Sequence, residues 1–443
     1  MLKQLAAGIL AGAFVVISVK LWRSLQPINL DQAQLMAWRD TSLFSLPAEP
    51  DPSAEAIVAE FIEKWRVQGS AVKQGVWIQS GLTRLATHRG NVPIPAASIT
   101  KIATSLAALQ QWGPAHQFET RVSATGIVKD GVLQGDLVIT GGSDPFFVWE
   151  EAIALGNSLN QLGIRRVTGN LVIIGNFTMN DKDNPEIAGG LLKQALKSSS
   201  WSWQIVRQYQ SMPKGTEKPQ LEIAGNVVVS DTPIPKQEYL LLHKSLPLVD
   251  ILREMNIYSN NDVSQMLSQA IGGAQTTARL AARSAGVPGS EIQLINGSGL
   301  GMENRISPRA ACAMLMAIER FLQPYELNLR DVFPLAGRDT KGTMLDRNIP
   351  PGAVIKTGTL REVSALAGFV PTRDRGLVWF AIINGGNDIL EFRAKQDQLL
   401  QRLSVEWGAL TQKSSNQTHK PLIIGDPKRI EKISSALLIE KKK

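Results

Sequence analysis

The sequence predicts an α/β (α+β) fold: one antiparallel sheet flanked by helices, with an inserted β-rich domain. Three observations carry that reading. Strand-like runs lie toward both ends, "GVWIQSG" and "LTRLATHRG" before residue 91 and "GAVIKTG", "SALAGFVPT" and "GLVWFAIING" after residue 351. Helical patterning fills residues 245–285 and 307–322 between them. Short β-like stretches, "FETRVSATG", "GDLVITGG" and "VTGNLVIIG", occupy 118–177. Strands from both chain ends with helices between them form one sheet only if the ends meet, which makes the middle stretch an insertion.

In order, the chain opens on "MLKQLAAGILAGAFVVISVKLW", where residues 5–19 form an apolar run between Lys3 and Lys20. As a helix this run spans ~22 Å of a ~30 Å hydrocarbon layer, and Leu21, Trp22 and a snorkelling Lys20 extend it. A signal peptide is the rival, but the small-x-small site Ala11-Gly12-Ala13 lies inside the run rather than after it. Residues 1–23 are thus expected to be an N-terminal membrane anchor or signal segment, with the uncleaved anchor favoured over the signal peptide, followed by a polar, proline-bearing stalk over 24–50. The main domain is expected at 51–120 and 238–411, the insert at 121–237, and a basic mobile tail at 412–443. Ser80-Gly81 marks a hairpin turn, and Pro95 and Gly113-Pro114 bound a helix over 97–111. A helix is expected near 149–162, while 180–236 is the least regular part. "TRDRG" and "NGGND" supply turns after the last two strands, and a helix over 391–410 follows.

Composition excludes several function classes. The chain has 443 residues, 44% hydrophobic and 19% charged, enough for a sizeable core. A single cysteine, Cys312, excludes an intramolecular disulfide and a cysteine-based zinc cluster, and four histidines argue against a histidine-rich metal site. No metal, nucleotide or other cofactor is implied. The net charge of +8 suits an anionic surface, yet no basic-aromatic pattern points to nucleic acid.

Three motifs carry chemistry. In "PIPAASITKIATSLAAL", Ser98 and Lys101 lie three residues apart, which puts both side chains on one helical face. A serine hydroxyl needs a neighbouring base, and neutral lysine serves if its pKa falls from ~10.4 toward 7. The helix start also offers free backbone N–H groups to an oxyanion. Serine is equally an ordinary helix cap, and "SMPK", Ser211 to Lys214, repeats the spacing as a decoy that Pro213 excludes from a helix interior. In "IYSNNDVSQML", Ser259 and Asn261 can line a cleft wall, although Ser-x-Asn recurs at Ser158 and Ser414 and capping is the plain alternative. In "GAVIKTGTLREVSALAG", Lys356 and Thr357 can hold a carboxylate, Gly358 removes a side chain where a ligand backbone approaches, and Thr359 offers its N–H.

The order Ser-x-x-Lys, Ser-x-Asn, Lys-Thr-Gly is far more specific than any member. With "GDLVITGGSDPFF", "INGSGLGMENRISP", "FPLAGRDTKGTMLDR" and "VIKTGTLREVSALAGFV", it resembles the D-alanyl-D-alanine carboxypeptidase/endopeptidases of the DacB, or peptidase S13, type. The resemblance spans roughly 75–178 and 240–390. It implies a penicillin-binding/β-lactamase-like fold, peptidoglycan stem peptides as substrate and β-lactams as acylating inhibitors. It also implies a periplasmic or cell-envelope location, with the membrane met through the N-terminal segment.

Carried over, Ser98 would be the acylated nucleophile, Lys101 its base, Ser259 the proton relay and Asn261 the orienting amide. Lys356 and Thr357 would grip the terminal carboxylate, and the N–H groups of Ser98 and Thr359 would form the oxyanion hole. Asn296 stands where the family usually has aspartate, Thr340-Lys341 adds length, and 180–236 lacks the family's tryptophan- and aspartate-rich segment. Asp144 and Arg338 are read as turn or ion-pair residues. Two alternatives remain at this level. One is a β-lactamase-like hydrolase, for which no deacylating glutamate motif is found. The other is a catalytically weak peptidoglycan-binding scaffold.

Overall fold

The computed structural model describes residues 51–66, 73–410 and 422–433. The expected anchor and stalk, 1–50, lie outside the described residues. Among those described, no helix is long and apolar enough to cross a membrane.

The chain enters through helix α1 (Pro52–Arg66), the hairpin β1 (Gln74–Ser80) and β2 (Thr83–His88), and helix α2 (Thr100–Trp112). The insert contributes β3 (Glu119–Ala124), β4 (Leu137–Gly142), α3 (Trp149–Gln161), β5 (Leu171–Asn176), α4 (Pro185–Ala195), α5 (Trp203–Ser211), β6 (Val227–Ser230) and β7 (Glu238–Lys244). Helices α6 (Leu248–Tyr258), α7 (Asn261–Ile271), α8 (Ala274–Ala285) and α9 (Pro308–Leu322) return to the main domain. Strands β8 (Val354–Leu360), β9 (Val363–Thr372) and β10 (Gly376–Gly385) and helix α10 (Ile389–Glu406) complete it, and a last strand β11 (Ile430–Lys432) goes back to the insert.

Strands from both ends of the main domain do meet. The main sheet runs β8-β9-β10-β1-β2, antiparallel throughout, with Trp77 opposite Ala381 and Thr357 opposite Leu366. Alternation along β1 sorts its side chains. Val76 and Ile78 enter a core with Phe61 and Trp65 of α1 and Phe392, Leu399 and Leu403 of α10. Gln79 points the other way and donates to Met316 Sδ of α9 (2.9 Å). Strand β9 is covered on both faces, so every one of its residues is buried and its sequence shows no alternation.

Helix α2 is enclosed by α6, α7, α8 and α9, and residues 100–109 are all buried. Its run of alanines lets those neighbours approach closely, which is why it lacks the polar stripe of a surface helix.

The insert is a six-stranded mixed sheet, β6-β5-β4-β3-β7-β11, with α3 and α4 sharing its core. Three sequence expectations change here. Residues 180–236 hold α4, α5 and β6 rather than irregular chain; Asn184 caps α4 through Glu186 N and Ile187 N, with Pro185 in its first turn. Strand β7 belongs to the inserted sheet, so that sheet extends past residue 237. Part of the tail expected to be mobile is folded: β11 pairs with β7, and the Gly425 N–H and the Arg429 guanidinium both donate to Glu151.

Candidate active site

The nucleophile candidate is carried by a turn rather than by the helix itself. Residues Ala97–Ile99 form a 3-10 turn ahead of α2, entered through Ala97 at φ +48°. A non-glycine residue in the left-handed region is held there by its surroundings. Two contacts supply the hold. Ala96 N donates to Asn304 O (2.8 Å), and Gly299, at φ +89°, comes so close that a Cβ on it would lie 2.0 Å from Ala97 O. Glycine is required at 299 for both reasons.

Lys101 follows in the first turn of α2 and is fully buried. Its Nζ donates to Asn261 Oδ1 (2.7 Å) and to the Ser298 carbonyl (2.8 Å), and lies 3.1 Å from Ser98 Oγ. A neutral amine has two N–H groups and one lone pair. Here two oxygens that can only accept take the N–H groups, which leaves the lone pair for the Ser98 hydroxyl. Burial lowers the Lys101 pKa to about 7, against a raising effect of Asp262.

The second motif sits where α6 gives way to α7. Ser259 is the left-handed C-cap of α6 at φ +54°, and Asn261 is the first residue of α7. The capping duty falls on the residue between them, Asn260, whose Oδ1 accepts from Val263 N (3.0 Å) and whose Nδ2 donates to Asp181 (2.9 Å). Asn260 thus caps the start of α7, which leaves the Asn261 amide to Lys101 and the Ser259 hydroxyl to Lys356.

The third motif lies on β8, an edge strand of the main sheet. Lys356 is fully buried; its Nζ donates to Ser259 Oγ (3.1 Å) and to the Thr357 carbonyl (3.0 Å). Burial, with a smaller push from Lys101, holds its pKa well below the ordinary lysine value. The amine is thus directed to the Ser259 hydroxyl and to the backbone of its own strand. Gly358 has a different reason from the expected one. A Cβ there would meet Ala96 O at 3.0 Å and Ser98 N at 3.0 Å, so it is the nucleophile's own turn that demands glycine. Thr357 is buried, whereas Thr359 is exposed and accepts from Arg393 Nη2 (2.8 Å).

The structure thus gathers Ser98, Lys101 and Asn261 in one bonded set, and Ser259 and Lys356 in another that faces it across the Gly358 contact. Sequence reasoning missed one member. The Ser298 carbonyl is aimed at Lys101 by Asn296, whose Oδ1 accepts from Ser298 N (3.2 Å), Ser298 Oγ (3.1 Å) and Gly299 N (2.8 Å). The Gly-Ser-Gly run was the available signal. The decoys stay apart: Ser211 is exposed at the end of α5, and Ser158 Oγ donates to Ala154 O within α3 (3.0 Å). Ser414 lies outside the described residues. Asp144 holds a turn through Phe146 N, and Arg338 pairs with Asp339.

A sequence profile of the family described as "D-Ala-D-Ala carboxypeptidase 3 (S13) family" matches residues 53–186 and 187–405. The chain is 23% identical over 415 residues to D-alanyl-D-alanine carboxypeptidase DacB of Haemophilus influenzae, covering 72% of this chain and 86% of that one. Two solved structures share its fold. One is the penicillin G-acylated predatory endopeptidase of Bdellovibrio bacteriovorus in complex with its immunity protein (TM-score 0.68, 20% identity, 81% of this chain and 98% of that one). The other is penicillin binding protein 4 (dacB) of Haemophilus influenzae (TM-score 0.60, 21% identity, 80% and 99%).

Proposed function

The chain belongs to the D-Ala-D-Ala carboxypeptidase 3 (S13) family, and on that premise we propose that Ser98 is the residue through which it cleaves peptidoglycan stem peptides. It is a serine-type D-Ala-D-Ala carboxypeptidase of the penicillin-binding class. The observation that carries the assignment of Ser98 is the Lys101 amine, held by two carbonyl-type acceptors with its third direction on the Ser98 oxygen.

Ser98 Oγ attacks the carbonyl carbon of the terminal D-Ala-D-Ala bond while its proton passes to the Lys101 lone pair. The N–H groups of Ser98 and Thr359 receive the developing oxyanion, and Asn261 orients the peptide through its free NH2. As the C–N bond breaks, Ser259 hands a proton to the departing D-alanine nitrogen and takes up the one held by the Lys101 ammonium, which returns Lys101 to the neutral amine. Lys356, bonded to the Ser259 hydroxyl, positions that relay and stabilises the negative charge. Water then attacks the Ser98 ester, releasing the shortened peptide and returning the proton.

β-Lactams would acylate the same oxygen; the Bdellovibrio endopeptidase of the same fold is itself acylated by penicillin G. Lys101 hydrogen-bonds to no carboxylate among the described residues. That favours a long-lived penicilloyl ester over the rapid turnover of a β-lactamase. Such a substrate places the enzyme in the cell envelope, tethered to the cytoplasmic membrane by the segment 1–23.

Labelling with a fluorescent penicillin, wild type beside Ser98→Ala, tests the nucleophile. Digestion of purified monomeric and cross-linked muropeptides, with product masses recorded, reads carboxypeptidase against endopeptidase action. A folded wild type that never labels would leave only the scaffold reading, and fast release of the label would favour the lactamase.

A further inference from the structure

The insert reaches the α6–α7 junction through a short turn. Between β5 and α4, Met179 and Lys182 close a tight hairpin: Met179 N donates to Lys182 O and Lys182 N to Met179 O (both 3.0 Å). Its central residues, Asn180 and Asp181, both sit in the left-handed region, at φ +47° and +64°. Asparagine is at home in such a turn, but glycine is its usual second residue. What an aspartate adds in that place is a carboxylate.

The base of the turn is fixed. Met179 is fully buried in the core of the insert with Phe147 and Phe177, and the Asn180 N–H donates to the Phe147 carbonyl (3.0 Å). From this base the exposed Asp181 carboxylate accepts from Asn260 Nδ2 (2.9 Å), 79 residues further along the chain. The other amide atom, Asn260 Oδ1, accepts from Val263 N (3.0 Å) at the start of α7. A carboxylate only accepts and a backbone N–H only donates, so the two partners together fix which way the Asn260 amide faces.

Both chain neighbours of Asn260 belong to the site. Ser259, left-handed at φ +54°, accepts from Lys356 Nζ (3.1 Å), and Asn261 Oδ1 accepts from Lys101 Nζ (2.7 Å). A non-glycine residue keeps such a backbone only where its surroundings hold it. The bond from Asn260 to Asp181 is such a hold, placed one residue from each of the two side chains.

We propose that Asp181 of the insert is a positioning residue for acylation, which fixes Asn260 and thereby the junction that presents Ser259 and Asn261 to Lys356 and Lys101. The inference rests on Ser98 being the nucleophile and Lys101 its base. Asp181 acts through Asn260, not on the reacting atoms.

The test follows acylation of Ser98 by a fluorescent penicillin in stopped flow, which separates initial binding from the acylation step. Asp181→Ala is expected to slow acylation by about three- to tenfold, the loss of one hydrogen bond, with initial binding unchanged. Asp181→Asn keeps an acceptor oxygen and recovers most of that loss, with the acid limb set by Lys101 still near pH 7. Asn260→Ser keeps a capping oxygen for Val263 N but removes the amide NH2. It should reproduce the loss, and adding Asp181→Ala to it should slow acylation no further. Wild-type acylation in Asp181→Ala, or losses that simply multiply in the double variant, overturn the proposal. So does a shifted acid limb in Asp181→Asn, which would make Asp181 a charge acting on Lys101 rather than a support for the junction. A wild type that never labels removes the Ser98 reading and this one with it. A wild type that labels, beside an Asp181→Ala protein that labels as fast, removes only the role of Asp181.

Discussion

Two stretches of this chain share the pattern Ser-x-x-Lys, and they meet opposite fates. At 98–101 the lysine is buried in the first turn of α2, and its amine is shared among groups 160 and 197 residues away along the chain. At 211–214 the serine ends an exposed helix, donates to Gln208 O (2.7 Å) and is followed by Pro213, with Lys214 in solvent. Spacing alone therefore makes no base. What distinguishes the pair is burial, which withdraws water from the ammonium, and a set of acceptors that leaves one direction for the hydroxyl.

Four experiments press on that contrast, taken from the greatest effect downward. Ser98→Ala should abolish penicillin labelling and peptide turnover while Ser211→Ala leaves both untouched; a labelled Ser98→Ala protein would mean the nucleophile lies elsewhere. Lys101→Met should slow acylation by about 10²- to 10⁴-fold, the usual range for losing a positioned base. Lys214→Met should not change it, and stopped-flow acylation rates decide.

The pH dependence comes next. The Lys101 pKa is lowered to about 7 by burial, and the working form is the neutral amine. Acylation should therefore rise with pH up to about 7 and fall about tenfold for each unit below it. A rate that stays flat from pH 5 to 8 would remove Lys101 as the base.

The smallest effect tests what holds the Lys101 acceptor in place. Asn296→Asp keeps the three bonds accepted at Oδ1 but adds a negative charge beside the Ser298 turn. The acid limb should move up by about one pH unit with little change in the alkaline plateau. Glu303 on the same loop, Asp262 on α7 and Lys356 on β8 stay as they are, so a limb that does not move would show that this turn has no say in the protonation of Lys101.

Local signals in the chain reached far. The Ser80-Gly81 hairpin, the start of α3, the helices of 245–285 and the last three strands are all legible, because turn residues and apolar periodicity act within a few residues. Helix α4 was not read: Asn184-Pro185 is a start signal, but the short apolar pattern that follows is hidden among polar and proline residues. Strand β11 could not be read in that way. It is a three-residue piece whose strand character comes entirely from pairing with β7. The site shows the same division: the motif residues announced themselves, whereas the Ser298 carbonyl did not.

The order of residues along the chain settled which chemical groups the protein owns: a serine and lysine one helical turn apart, a hydroxyl next to amides, and a lysine on a strand closed by glycine. Packing settled what those groups do. Proximity between α2, the α6–α7 junction, the 296–304 loop, β8 and α10 is a property of how helices and sheet fit together. So are the desolvation that lowers two amines and the choice of Asn260 as the cap. These depend on distances through space, which short-range spacing does not encode.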